Sequence, residues 1–312
     1  MTRVPHDDVE DDLRALSADT EKLELYRRDD SLPTGITAAK DALGLDFARE
    51  LQRIALVVIH PDLIAQRRVE RCLTFARDHD LQPVVALPFV FEPAMTAAMW
   101  QHSLDDATED SLAVCDVFCA KTESLLVLLR DRGPEPTRAA SARLSALKGS
   151  TRAERRQEGH LRSHLRATNQ IVTAVHCSDE PIDILRELAI LVPETMAHLL
   201  MTAVRFPDDG ASPDLDRQIA GLYARTPPYD IDVARAVARI RAKLADCAGD
   251  PRVTAAHSRL SGNLEAWQRG ERFLRWQEFT ADLGAIGIAP DSWDAILVGS
   301  TYVQHERTVS PG

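Results

Sequence analysis

The sequence predicts an α/β sandwich, helices packed on one sheet of short strands, followed by a mainly helical region. Three observations carry this. Between residues 53 and 193, short β-branched apolar runs alternate with stretches of helical spacing. Before them lies a solvated helical pattern, and after Pro193 helical periodicity runs to near the end. The expected division is a helical N-terminal extension over 1–52, the α/β domain over 53–193 and a helical C-terminal domain over 194–312. A chain of 312 residues exceeds the common size of one domain.

The elements follow in order. Residues 1 to 31 carry ten acids and five bases around Leu13, Leu16 and Leu23, the pattern of a solvated helix that docks on one side. Ser31-Leu32-Pro33-Thr34-Gly35 reads as a break, and helical spacing resumes at Ala42, Leu45 and Leu51. Ile54-Ala55-Leu56-Val57-Val58-Ile59 is a continuous apolar run, the signature of a buried strand. Val69, Cys72, Leu73, Phe75 and Ala76 recur at helical spacing. Pro83 to Val90 reads as a second strand, which Pro88 assigns to an edge or a bulge. A helix is expected over Ala94–Leu104, a third strand over Ser124–Leu129, and a helix over Thr137–Leu147. The fourth strand is expected over Ile171–His176. Pro181, suited to a first helical turn, opens a helix through Leu191. Beyond it, Val233, Val237, Ile240 and Leu244 mark one amphipathic helix. Leu260, Leu264, Trp267, Phe273 and Trp276 mark a longer stretch interrupted near Gly270, its tryptophans read as core.

Charge and cysteine content narrow the function classes. With 37 Lys+Arg against 48 Asp+Glu the net charge is -11, which argues against a general nucleic-acid or anionic-membrane binder. Any anion site must be local. The five cysteines are sparse and odd in number, the first residues carry no apolar signal region, and no long apolar stretch marks a membrane span, so a cytoplasmic protein is expected. Cys115 and Cys119 read as buried thiols rather than zinc ligands. His160 and His164, four apart, lack the glutamate of a His-Glu-x-x-His motif.

The chemistry concentrates in two places. Ala174-Val175-His176-Cys177-Ser178-Asp179 puts a histidine at the end of an apolar strand, with Ser178 two residues on and Glu187 eleven residues on, in the following helix. A carboxylate on one imidazole nitrogen leaves the other as a nucleophile. The competing readings are a satisfied polar histidine, Ser178 and Asp179 as caps of the Pro181 helix, and Glu187 as a surface residue. Just before this strand, Arg143, Lys148, Arg152, Arg155, Arg156, Arg162 and Arg166 face only Glu154 and Glu158. Guanidinium groups match phosphate oxygens as bidentate forks, so this segment is either an anion site or a solvated loop.

These residues together resemble the nucleoside diphosphate kinases. His176-Cys177-Ser178-Asp179-Glu180 with Glu187 aligns without a gap to that family's phosphorylated His-Gly-Ser-Asp-Ser segment and its following glutamate. Ile59-His60-Pro61-Asp62 is similar to its Lys-Pro-Asp-Gly, Leu147-Lys148-Gly149-Ser150-Thr151 to its Leu-Met-Gly-x-Thr, and Leu161-Arg162-Ser163-His164, with one deletion, to its Ile-Arg-Gly-Asp. The likeness spans about 53–193 and implies a ferredoxin-like, four-stranded antiparallel sheet. It also implies a ping-pong phosphotransfer through His176, with Glu187 orienting the ring and Ser178 assisting. Thr151 and Arg162 would grip the phosphates of ATP or another nucleoside triphosphate, with Mg2+ bridging them.

The sequence departs from the family at contact positions. His60 stands where the family has lysine, Thr173 where it has the sugar-contacting asparagine, and Ser145 where it has an arginine, with Arg143 or Lys148 expected to reach the same space. Trp100 takes the place of a tyrosine before the nucleotide clamp. The resulting expectation is a phosphotransferase acting on a nucleotide or another small-molecule acceptor. Two alternatives stand beside it: a catalytically inactive nucleotide-binding module that meets a protein partner through its helical extensions, and a scaffold for a homo-oligomer.

Overall fold

The computed structural model describes residues 13–102, 106–133, 137–205 and 213–307. In chain order the elements are α1 (Thr20–Tyr26), α2 (Ser31–Leu43), α3 (Phe47–Leu51), β1 (Ile54–Ile59), α4 (Pro61–Ala65), α5 (Val69–Asp78), β2 (Leu81–Phe89), α6 (Pro93–Trp100), α7 (Glu109–Cys119), β3 (Ser124–Asp131), α8 (Ala140–Lys148), α9 (Leu161–His164) and β4 (Val175–Cys177). After β4, α10 (Pro181–Leu191) begins the helical region, followed by α11 (Glu194–Arg205), α12 (Pro213–Arg225), α13 (Val233–Asp246), α14 (Thr254–Gln268), α15 (Trp276–Ala285) and α16 (Trp293–Tyr302).

The four strands form one antiparallel sheet in the order β2-β3-β1-β4, the ferredoxin-like arrangement. β2 lies at an edge and is irregular between Pro83 and Val85, where proline has no N–H to give to a regular ladder. β1 is central and buried at every residue. Its alternation explains the unbroken apolar run: Ala55, Val57 and Ile59 face one hydrophobic cluster with α5, α8 and α12, while Ile54, Leu56 and Val58 face another.

That second cluster joins the sheet to both flanking regions. It contains Leu32, Ala39 and Leu43 of α2, Leu185 and Leu188 of α10, Leu200 of α11, and residues of α13 to α16. The extensions thus supply the helices that dry the sheet's second face. Trp267, Trp276 and Trp293 are buried there, as expected, but Phe273 is exposed.

Several boundaries differ from expectation, two of them with a clear physical cause. Ser31–Gly35 is the start of α2 rather than a break. Pro33 falls in the first turn, where a backbone N–H has no intrahelical acceptor anyway. Gly35 is needed because the helix meets α10 backbone to backbone: a Cβ at this position would lie 2.2 Å from the Leu185 carbonyl oxygen. Gly35→Ala is therefore expected to force α2 off α10 and lower stability by about 1–3 kcal/mol, measured by urea unfolding.

The fourth strand is the other difference, since it begins at Val175 rather than Ile171. Asn169 Oδ1 accepts the N–H groups of Ile171 and Val172, curling that stretch away from the sheet. Ala174 then takes φ +67°, with Val175 N–H donating to the Thr173 carbonyl at 2.8 Å, a strained γ-turn. The helix expected over 94–104 ends at Trp100, and residues 103–105 lie outside the described residues.

Candidate active site

β4 is short, but its register places the chemistry. His176 pairs with Val58 of β1, while Val175 and Cys177 point into the cluster with α5 and α8. Period-two alternation puts His176 and Ser178 together on the opposite side, toward α10. There His176 Nε2 lies 2.8 Å from Glu187 Oε1, and Ser178 Oγ donates to Glu187 Oε2 at 2.6 Å. Glu187 is buried with Ile184, Leu185 and Leu188, so it is not a surface residue. The carboxylate accepts only, which assigns the ring proton to Nε2 and leaves the lone pair on Nδ1.

Ser178 and Asp179 do not cap α10. Glu180 occupies the N-cap in a reciprocal capping box with Asp183, whose carboxylate accepts the Glu180 N–H at 2.8 Å. Asp179 instead accepts from Lys148 Nζ at 2.9 Å and from the Ser145 hydroxyl.

His176 lines a cavity of about 620 Å3 with His60, Trp100, Thr151, Arg162 and Thr173, so the fold brings together most of the residues singled out from sequence. Trp100 meets the His176 ring edge-on, with centroids 6.1 Å apart. Thr173 Oγ1 lies 3.2 Å from His60 Nδ1. Arg162, buried, donates to the carbonyls of Gly149 and Val175 at 2.8 and 3.0 Å, and its Nε has no partner among the described residues.

Gly149 makes this approach workable. It has φ +79°, and a Cβ there would sit 2.6 Å from the His160 ring. Gly149→Ala is expected to displace the Thr151 segment and weaken any ligand the cavity binds, a change that calorimetric titration would register.

Two of the expected phosphate contacts are elsewhere. Arg143 pairs with Asp131 at 2.6 Å and donates to the His79 carbonyl, in a separate depression lined by Asp78, Asp80 and Arg138. α8 directs the Arg143 side chain toward Asp131, the last residue of β3. Lys148 is held by Asp179 and the Cys177 carbonyl. Much of the remaining arginine run is structural too: Arg156 donates to the carbonyls of Ser150, Thr151 and Ala167.

His60 is not a lysine equivalent. It is buried in edge-to-face contact with Phe91 and Phe118, and Nε2 has no partner among the described residues. Burial, with the neighbouring His176 and Arg162, lowers its pKa to about 3, so it is neutral. Two residues along, Asp62 is fully buried, neither carboxyl oxygen makes a well-formed hydrogen bond to the described residues, and burial pushes its pKa up to about 7.

The signs of these shifts give a pH test. Asp62, raised from 3.8, contributes stability present below pH 3.8 and lost as pH rises toward about 7. Asp62→Asn removes that loss. Its stability relative to the parent is expected to rise by about 1.4 kcal/mol per pH unit between pH 4 and 7, read from urea unfolding at several pH values. Parallel curves for the two proteins would contradict a buried, protonated Asp62.

Several cavity residues carried no signal of their own in the sequence. Asp106, Leu112 and Phe118 come from α7 and the segment before it, Gln170 and Ile171 from the loop before β4, and His305 and Glu306 from beyond α16. Arg152 lay within the cationic run without being distinguished from its neighbours. Among the described residues no group of three His, Cys, Asp or Glu side chains is arranged to hold a metal ion, and no helix is long and apolar enough to cross a membrane.

No protein-family model matches the sequence, and no curated protein matches it. Among solved structures the chain is similar to nucleoside diphosphate kinases. One is from Aquifex aeolicus, at 17% identity over 45% of this chain and 95% of that one, with a TM-score of 0.38. Another is from Borrelia burgdorferi, solved as a transition-state mimic with vanadate and ADP, at 14% identity over 46% and 88% of the two chains and a TM-score of 0.37. A third, from Pyrobaculum aerophilum, shares 14% identity over 46% and 97%, with a TM-score of 0.38.

Proposed function

We propose that the chain is a phosphotransferase that takes the terminal phosphoryl group of a nucleoside triphosphate onto His176 and passes it to a nucleotide or another small-molecule acceptor. The observation that carries this reading is the His176–Glu187–Ser178 array, which orients the imidazole through Nε2 and leaves Nδ1 for the cavity. In the first half-reaction the Nδ1 lone pair forms a bond to the γ-phosphorus. The bridging P–O bond breaks, and its electron pair leaves with the nucleoside diphosphate. The imidazole becomes cationic, and Glu187, already on Nε2–H, stabilises that charge. In the second half-reaction an acceptor oxygen attacks phosphorus, the P–N bond breaks, and its electron pair returns to Nδ1.

Thr151 and Arg162 would meet phosphate oxygens, Trp100 would wall one side of the ligand, and Thr173 and His60 would offer neutral hydrogen-bonding groups. The described residues supply no metal cluster of their own, so Mg2+ would enter with the triphosphate, neutralising charge on its oxygens.

The test is incubation with γ-labelled ATP and Mg2+. Acid-labile, base-stable label that vanishes in His176→Ala is the expected result; label persisting in that variant rejects His176 as the nucleophile.

A second reading, a nucleotide-binding module without transfer, is favoured by the engagement of Arg143 and Lys148 elsewhere and by the neutrality of His60. It predicts no label from any nucleoside triphosphate but a nucleotide-dependent rise in melting temperature. Neither response would leave the scaffold.

A further inference from the structure

The cavity wall contains an ion pair that joins distant parts of the chain. Arg152, just past α8, pairs through Nη2 with the Glu306 carboxylate, and both residues line the cavity with His176. Glu306 lies on a strap after α16 that is fastened by its backbone. Leu274 N–H donates to the Tyr302 carbonyl at 2.8 Å, Thr108 N–H to the His305 carbonyl at 3.2 Å, and Arg307 N–H to the Asp106 carbonyl at 2.7 Å. Ala107 and Glu306 form an antiparallel bridge. The strap can therefore stay in place while the Glu306 side chain, half exposed, turns outward.

The charges make this pair consequential. Among the described residues, and apart from histidines, the charged residues lining the cavity are Arg152, Arg162, Asp106 and Glu306, two of each sign. Arg162 is buried and held by neutral carbonyls, so it is a fixed charge that cannot follow a ligand. Arg152 is different: its partner is itself an anion, 54% exposed, and thus exchangeable. A phosphate oxygen and the Glu306 carboxylate present the same chemistry to a guanidinium.

We propose that Arg152 is the cavity's ligand-responsive anion-binding residue and that Glu306 is its internal competitor, displaced when a di- or triphosphate enters. The closed pair shields Arg152 from weakly charged solutes, while a polyphosphate, carrying more charge than one carboxylate, replaces it. This deepens the phosphotransfer reading by assigning the polyphosphate subsite, but it concerns binding alone and can be tested without any transfer step.

The experiment is calorimetric titration of the full chain with inorganic pyrophosphate at low and high salt. Glu306→Gln removes the competing charge and is expected to bind about fivefold more tightly than the parent, the scale of an exposed ion pair, with the gain shrinking at high salt. Glu306→Asp, which keeps the charge, should stay near the parent. In the Arg152→Ala/Glu306→Gln double variant the gain should disappear. Equal affinity of Glu306→Gln and the parent, a gain that survives without Arg152, or absence of pyrophosphate binding in every variant would each overturn the proposal. Loss of His176 labelling with these affinities intact would instead remove only the phosphotransfer reading.

Discussion

In Glu187→Ala, formation of labelled phosphohistidine is expected to slow by about 100-fold or more, while pyrophosphate affinity changes little. Glu187 acts through both carboxylate oxygens: Oε1 lies 2.8 Å from His176 Nε2, and Oε2 is held at 2.6 Å by Ser178. Removing it frees the imidazole to rotate and to place its proton on either nitrogen, so only part of the population offers Nδ1. It also removes the negative charge that meets the imidazolium as the P–N bond forms. Glu187→Gln separates these effects, since the amide can still accept from Nε2–H but carries no charge. Its rate should fall between the parent and Glu187→Ala. Single-turnover labelling by rapid quench measures all three, and a Glu187→Ala rate equal to the parent's would show that the carboxylate has no part in the transfer.

Asp29→Ala is expected to produce the largest loss of stability, about 3–5 kcal/mol, against a total of about 5–15 kcal/mol for a typical domain. Asp29 Oδ2 and Arg186 Nε are 2.5 Å apart with both side chains 3% exposed. Without the carboxylate, Arg186 is a buried, unpaired cation beside Glu187. The same guanidinium donates to the carbonyls of Ala98 and Met99, the last turn of α6, whose final residue is Trp100. The pair therefore ties the N-terminal extension, the Glu187 helix and the wall facing His176 into one unit. Replacing both partners by apolar residues, Asp29→Leu with Arg186→Met, should recover much of the loss, because no orphaned charge is left. Urea unfolding tests both steps; a double variant as unstable as Asp29→Ala would mean that the arginine's bonds to α6, rather than the burial of its charge, carry the effect.

These two predictions rest on features of unequal legibility in the sequence. The β1 run was readable because a central strand buried on both faces needs an apolar residue at every position. Pro181 marked the start of α10, and the spacing from His176 to Ser178 and Glu187 survived folding because it spans only one strand end and one helix. Pro33 misled because proline stops a helix in its interior but not in its first turn. Ile171–Thr173 looked like strand because its residues are apolar and β-branched. Asn169 and the γ-turn at Ala174 redirect their backbone, a preference that propensity does not encode.

The cationic segment shows the limit most plainly. Seven bases against two acids marked a cationic segment just before the His176 strand in the chain, which by itself reads equally as an anion site or a solvated loop. Their roles depended on partners that are distant in the chain: Asp131 takes Arg143, Asp179 takes Lys148, backbone carbonyls take Arg156 and Arg162, and Glu306 takes Arg152. Local spacing determined the strand, the helix and the His–Ser–Glu array, because each is built from neighbouring residues with a fixed backbone period. Only the tertiary structure decided which charges face the cavity, which are spent in holding it together, and that His60 is neutral there. Those outcomes follow from burial and long-range pairing, which arise when separate elements meet.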